Sequence, residues 1–385
     1  MQICLYDPSH GYYSRNAEQF GKAGDFYTSS DVHAVFGRLL ARQFDEIWRA
    51  LDRPPAIEIL ELGPGRGLFA RDVLDWSRKK FGDLFTALTY TLQESSPALR
   101  AKLQDTLREH VESGKAHVGT DAFVRPAERR EDICRTLAPD APLIVFANEF
   151  FDALPVEILA TAGKLHLALK NNRLVETWLP PLAEELEFLD RYGVHPAPGE
   201  RIEVPILAQD WMRQIARSIR STEHGSLGGV GVGGVIVIVI DYGYTRDQQL
   251  AGRHRGTLMA YRQHSSSPDP YQAPGEQDLT AHVNFTALGA ACEQAGMQVE
   301  KLLTQSQFLM GVGERNRFAD AFEDCRIPQE RAKVALQLKH LVTPVGMGEN
   351  FQVLIASRAV NAGEMTALSG LSFGKSSQFS VPGSQ

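Results

Sequence analysis

Cysteine is scarce in this sequence, and the four present, Cys4, Cys134, Cys292 and Cys325, form no C-x-x-C pair. Their wide spacing excludes a zinc ribbon or a disulfide framework and predicts a reducing compartment. Excess positive charge is missing too. The net charge of −7 excludes bulk electrostatic binding to nucleic acid or to an anionic membrane surface. No apolar run approaches a membrane-spanning length, so no membrane insertion is expected. The longest run, Val235 to Ile240 with its neighbours, reads as a buried strand. No basic stretch leads into an apolar one at the N-terminus, so no secretory signal is read and a cytoplasmic location is expected. The glycine-dense segment Gly225 to Gly234 lacks the Gly-Lys-Ser/Thr of a phosphate loop and reads as a flexible connector. His264 and His282 lie far from any metal-ligand spacing, so no metal is expected, and no nucleophile–base triad is found.

What the sequence does contain is ordinary globular composition, 43% hydrophobic and 23% charged over 385 residues, enough for a large core. It is organised around Ile57-Glu58-Ile59-Leu60-Glu61-Leu62-Gly63-Pro64-Gly65-Arg66-Gly67. A short apolar run reads as a buried strand, the glycines as a tight turn, and Leu68 to Trp76 as the following helix. Such a junction brings backbone close to a ligand. The spacing is G-x-G-x-G, because Leu68 stands where a dinucleotide fingerprint needs its third glycine. Glu61 precedes the first glycine, where its carboxylate would repel a pyrophosphate but suit the ammonium and sulfonium of S-adenosylmethionine. The stretch therefore reads as the cofactor loop of a Rossmann-like methyltransferase, with Glu61, Gly63, Gly65 and Gly67 as cofactor-binding residues.

Alternating elements support that architecture. Val32 to Ala50 predicts an amphipathic helix with Asp31 as a candidate cap. Ala87 to Gln93 predicts a second strand, Pro97 to His110 a helix, and Lys115 to Val118 a weak third strand. The all-apolar Pro142 to Ala147 predicts a strand buried on both faces of a parallel sheet. Val156 to Pro205 reads as an inserted β-rich piece, with a hairpin at Lys170-Asn171-Asn172. Ala208 to Ser221 predicts a helix and Val235 to Ile240 a buried strand. Tyr244 to Asn284 reads as a long functional loop holding Arg255, Tyr261, Arg262 and His264. Phe285 to Ala295 and Gln329 to Leu341 predict helices, and Gln298 to Leu303 and Phe351 to Ser357 the last strands. From Asn361 the Ser/Gly-rich chain is expected to be disordered.

Two further constellations carry chemistry. Glu94 ends the second strand 27 positions after Gly67. An acid there can accept two hydrogen bonds from the adenosine ribose diol. Asn148, Glu149 and Asp152 follow the central strand, near where a transferred methyl should project. Two close carboxylates make a pocket suited to a guanidinium. Methyl transfer to arginine needs in-line positioning and a proton acceptor more than a triad. Three other readings stay open: a non-catalytic cofactor-binding assembly protein, a small-molecule methyltransferase and a nicotinamide-dependent oxidoreductase, the last disfavoured by Glu61 and Leu68.

Ten stretches also resemble one family in order and over nearly the whole chain: LYDPSHGYY (5–13), FGKAGDFYTSS (20–30), ELGPGRG (61–67), QESSPALR (93–100), NEFFDALPV (148–156), IDYGY (240–244), RGTLMAYRQH (255–264), PGEQDLTAHVNF (274–285), TQSQFLMGVG (304–313) and MGENFQVL (347–354). The sequence resembles the MidA-like proteins, whose mitochondrial members are arginine methyltransferases assisting respiratory complex I assembly. The resemblance implies a class I methyltransferase fold: an α/β doubly wound sheet, mostly parallel with its last strand antiparallel. It also implies an inserted substrate region and an extra N-terminal helical segment. S-adenosyl-L-methionine is the implied cofactor, and symmetric dimethylation of an arginine in a protein partner, a complex I subunit, the implied reaction. Gly24, Asp25 and Thr28 are implied near the cofactor, and Asn148, Glu149 and Asp152 on the substrate side. The expected domains are an N-terminal segment (1–53), a core (54–155 and 235–360), an inserted region (156–234) and a tail (361–385).

Two departures stand out. The family's T-x-P-E reads Thr28-Ser29-Ser30-Asp31 here. A helix upstream of LYDP is missing, so the start is expected to be clipped. With a clipped targeting segment, the expected location becomes the mitochondrial matrix.

Overall fold

The computed structural model describes residues 1–14, 34–120, 141–218, 233–251, 256–262 and 265–373. Gly24, Asp25, Thr28, Asp31, Cys134, Arg255, His264 and most of the glycine-dense connector lie outside them.

Four strands open the main sheet, β1 (Ile57–Leu62), β2 (Leu88–Glu94), β3 (Ala116–Thr120) at its edge and β4 (Leu143–Asn148). An inserted sheet follows, of β5 (Glu157–Ala160), β6 (Gly163–Lys170), β7 (Arg173–Leu179) and β8 (Ile202–Val204). The main sheet resumes with β9 (Val235–Tyr244). Next come β10 (Met259–Arg262), β11 (Ser265–Ser267) and β12 (Asp278–Thr280), a small sheet of their own. β13 (Val283–Asn284), β14 (Gln298–Thr304) and β15 (Phe351–Arg358) complete the main sheet in the order β14-β15-β9-β4-β1-β2-β3, with β13 alongside β9. β1 pairs in parallel with β2 and β4, and β9 with β4, whereas β15 runs antiparallel to β9 and β14. The expected doubly wound sheet with an antiparallel last strand is thus the one found.

Alternation along the strands explains why helices cover both faces. Ile57 and Ile59, Ile144 and Phe146, and Ile236, Ile238 and Ile240 face one core with the helices Val35–Ala50 and Leu68–Lys80. Leu60 and Leu62, Val145 and Ala147, and Val235, Val237 and Val239 face the other, with Ile206–Ser218 and Phe285–Gln294. β-branched residues dominate because both faces of these strands are packed. The chain starts at β1, moves outward to β3, then returns to β4 on the other side of β1. Ligands bind at the carboxyl ends of strands where the order reverses, and Gly63 to Gly67 and Asn148 to Asp152 both stand there.

The structure corrects several expected boundaries. The insert ends near Val204, because Trp211, Met212 and Ile215 of the next helix pack on the main sheet. The insert also holds an unanticipated helix, Ala183–Tyr192, whose Phe188, Leu189 and Tyr192 cover β5 and β8. Its hairpin is as expected, with Asn171 and Asn172 both left-handed (φ 51° and 57°), as a type I′ turn requires. The expected irregular stretch 244–284 contains the helix Arg246–Leu250 and the small sheet. TQSQFLMGVG is a helix, Gln305–Glu314, capped by Thr304.

The Ser/Gly composition after Asn361 hides an apolar spacing, Met365, Leu368 and Leu371. These form two short helices, Ala362–Ala367 and Ser369–Ser372, on the main core. Backbone amides of Ser369 and Gly370 donate to Glu46 (2.8 Å) and Gln43 (2.9 Å), anchoring them to the helix Val35–Ala50. Residues 374–385 lie outside the described ones.

Candidate active site

A cavity of about 630 Å³ opens at the carboxyl ends of β1, β2, β4 and β9. Its first half grows from the glycine turn. Gly63, Gly65 and Gly67 all adopt positive φ (63°, 55° and 75°), which side chains resist. At Gly63 a Cβ would also lie 2.9 Å from the Phe150 ring. Gly67 caps the helix Leu68–Lys80. The Gly63 amide donates to the Gln93 carbonyl (3.0 Å), fastening the turn to β2.

Glu94 is buried and holds this turn from the side. Its carboxylate accepts from the amides of Gly65 (3.2 Å) and Ser96 (2.9 Å). Each carboxylate oxygen still has accepting capacity toward a diol. Burial raises its pKa to about 7, against those amides and Arg100. Glu61 is buried as well, accepts from the Tyr90 hydroxyl (2.8 Å) and is pushed to about 8 by burial. Neighbouring Glu94 adds to that shift, while the Tyr90 bond opposes it. A carboxyl held this way ionises when a cation arrives beside it.

The fit to S-adenosyl-L-methionine rests on these residues. The left-handed glycines leave backbone bare for close approach, Glu61 can face positive charge, and Glu94 can take ribose hydroxyls. Buried Gln93 lines the same cavity, and among the described residues its Oε1 has no hydrogen-bond donor. A nucleoside offers such donors.

The second half is built by β4, β9 and β12. Asn148 ends β4, and its Nδ2 donates to Glu149 Oε1 (3.1 Å). Asn148 Oδ1 is buried at the cavity wall with no donor among the described residues. Glu149 is left-handed (φ 51°), a conformation costing a non-glycine residue of order 1–3 kcal/mol and typical of functional loops. Asp152 is buried beside the Tyr242 phenol, and burial shifts both it and the neighbouring Asp241 upward. Asp278 is buried too and accepts from the Tyr13 hydroxyl (2.9 Å).

The N-terminal segment closes this side. Tyr6 donates to the Ala153 carbonyl (3.1 Å), its ring lies 5.6 Å from that of Tyr13, and Ser96 donates to the Tyr13 carbonyl. Burial pushes the Tyr6, Tyr13 and Tyr242 phenols well up, so they remain donors.

The structure therefore brings Glu61, Gly63, Gly65, Glu94, Asn148, Glu149 and Asp152 to one cavity. Gly67 stands behind it, packed toward Leu103. Asp241, Tyr6, Tyr13, Tyr242 and Asp278 had no role assigned from sequence. They sit in the LYDPSHGYY, IDYGY and PGEQDLTAHVNF stretches, whose polar and aromatic density was the available signal. His282 lines the cavity with its ring edge-on to Tyr242 (5.2 Å), whereas Arg262 pairs with Glu276 at the surface. Among the described residues no His/Cys/Asp/Glu group could hold a metal ion, and no helix is long and apolar enough to cross a membrane. Cys4, Cys292 and Cys325 are free thiols.

Sheet order, glycine turn and strand-end acids define a class I S-adenosyl-L-methionine-dependent methyltransferase. The chain belongs to the MidA-like family, described as "Putative S-adenosyl-L-methionine-dependent methyltransferase", which matches residues 39–303. A Drosophila melanogaster protein named protein arginine methyltransferase NDUFAF7 homolog, mitochondrial, is 30% identical over 379 residues, spanning 92% of this chain and 79% of its own. The Danio rerio protein arginine methyltransferase NDUFAF7, mitochondrial, is 30% identical over 381 residues, spanning 91% and 81%. A Burkholderia thailandensis crystal structure bound to S-adenosyl-homocysteine aligns with a TM-score of 0.75 at 25% identity, covering 96% of this chain and 88% of its own.

Proposed function

We propose that this methyltransferase modifies arginine in a protein, with Asn148, Glu149 and Asp152 as the acceptor-side residues. The observation that carries the reading is the pair of acids following β4, with Asp152 buried beside the Tyr242 phenol at the cavity wall. When bound, S-adenosyl-L-methionine supplies an electrophilic methyl on a sulfonium. Glu149 and Asp152 orient the guanidinium through charged hydrogen bonds, Asn148 Oδ1 accepts one of its N–H groups, and Asp152 takes the proton lost as the N–C bond forms. The NDUFAF7 relatives of Drosophila melanogaster and Danio rerio, named as protein arginine methyltransferases, support an arginine acceptor.

On this reading the product is symmetric dimethylarginine, the partner is a subunit of respiratory complex I or its bacterial counterpart, and the inserted sheet β5–β8 contacts that partner. The compartment is the bacterial cytoplasm or the mitochondrial matrix.

The test is incubation with methyl-labelled cofactor and a cell extract, followed by mass spectrometry of the labelled band. Methylarginine in a protein is the expected result. Label confined to small metabolites, or no transfer by wild type, would overturn it.

A further inference from the structure

We propose that Asp241 and Tyr242, adjacent residues at the end of β9, are positioning residues that set the acceptor-side loop 149–152 and the Asp152 carboxyl. The inference rests on the reading of Asp152 as an acceptor-side group.

Asp241 is fully buried, at 0% exposure. An acid so placed needs donors to remain in the fold. Its donors come from the loop. Oδ2 accepts from the backbone amides of Phe151 (3.0 Å) and Asp152 (3.3 Å), 90 and 89 residues away in sequence. Oδ1 accepts from the Tyr242 amide (2.9 Å). One carboxylate thus gathers two consecutive amides of the loop and ties them to β9.

The loop is fixed on each side of that clamp. The Glu149 amide donates to the Ile240 carbonyl (2.9 Å), continuing the β4–β9 ladder into a left-handed residue. The Asp152 carbonyl accepts from the Ala281 amide (2.9 Å). Asp152 is therefore held through its amide by Asp241 and through its carbonyl by Ala281. Only the carboxyl is left to aim, and the Tyr242 phenol lies beside it on the cavity wall. The Tyr242 ring is braced edge-on by Phe351 (5.4 Å) and His282 (5.2 Å). Asp241 lies behind the loop, and its bonds go to backbone, so it acts through the loop.

An amide at this position cannot serve three amide donors, because its NH2 group would face one of them. D241N should therefore loosen the loop, whereas the cofactor residues on β1 and β2 share none of these hydrogen bonds.

The test measures three things on purified protein. Tritium transfer from labelled S-adenosyl-L-methionine into extract protein follows the acceptor side. Calorimetric binding of S-adenosyl-homocysteine follows the cofactor side. Backbone hydrogen exchange of peptides spanning 148–156 follows the loop.

D241N should lower transfer on the order of 10²-fold, the loss expected from an ångström-scale misplacement. It should speed exchange in 148–156 and leave S-adenosyl-homocysteine affinity within about twofold, as for sites without shared partners. Y242F should lower transfer with exchange and affinity unchanged. Wild-type transfer by D241N or Y242F overturns the proposal, as does a D241N loss of cofactor affinity parallel to the loss of transfer. If D241N does not fold, wild-type exchange decides: Phe151 and Asp152 amides exchanging as fast as exposed loop amides overturn it, and slow exchange supports it. D152N is run alongside. Full transfer by D152N sinks the arginine reading itself, whereas inactive D152N with active D241N sinks only this inference.

Discussion

The two halves of the cavity are assembled differently. On the cofactor side, β1, the glycine turn and the end of β2 all fall within residues 57–94. Tyr90 reaches Glu61, and Gly65 reaches Glu94, across 29 residues each. On the acceptor side the ties span 90 residues from Phe151 to Asp241, 147 from Tyr6 to Ala153 and 265 from Tyr13 to Asp278. One half is a local supersecondary device, the other a convergence of distant segments. A local device keeps its chemistry wherever the strand–turn–helix unit goes. A convergent one can change its specificity through any contributing segment without disturbing the cofactor.

That contrast should be breakable at Gly63, where the halves touch. G63V puts a side chain into the Phe150 ring at a left-handed backbone position. It should abolish S-adenosyl-homocysteine binding in calorimetry and transfer together, a loss of about 10²-fold or more from strain and clash. Separation should be clean at Asp152. D152N should lower transfer by about 10²–10⁴-fold, the range for a general acid–base group, with cofactor affinity unchanged.

Charge sharpens the comparison further. Glu61 is neutral below about 8 and charged above it, so affinity for the cationic cofactor should rise as pH climbs through that value. E61Q should flatten the profile and cost about tenfold at pH 9, the loss of one charged interaction. The linked effect on stability has the opposite sign. Glu61 and Glu94 have folded values near 8 and 7, above the ordinary glutamate value of 4.5. Their favourable contribution is complete below about pH 4.5 and is lost as pH rises through 7 to 8. The ligand-free melting temperature should therefore fall between pH 5 and 8 by calorimetry, less so with saturating cofactor. The smallest effect is expected at the strap that residues 1–14 lay across the acceptor side through Tyr6 and Tyr13. Y13F removes the bond to Asp278 and should lower stability by about 1 kcal/mol in denaturant titration, sparing cofactor affinity.

The same contrast explains what could be read from the sequence. Glu61, Gly63, Gly65 and Glu94 were legible because strand, turn and helix periodicities fix them relative to one another over a few dozen residues. Asn148, Glu149 and Asp152 were legible because they end an all-apolar strand. Asp241 and Asp278 were not, since spacing says nothing of which loop an acid will clamp 90 or 265 residues away. Ser/Gly composition after Asn361 masked three well-spaced apolar side chains. Trp211, assigned to the insert by its position in the chain, belongs to the main core by packing.

The strap also has a consequence for how the molecule is made. The Tyr13–Asp278 bond closes the longest loop among the acceptor-side ties, and closing it must await synthesis of β12. The entropy of bringing such ends together grows only slowly with length, but contacts this distant in sequence form late in folding. A chain emerging from the ribosome can complete its cofactor turn once β2 is out. It has no walled acceptor pocket until nearly three-quarters of the chain has been made. The nascent protein is thus equipped to hold a methyl donor before it has anywhere to put the methyl.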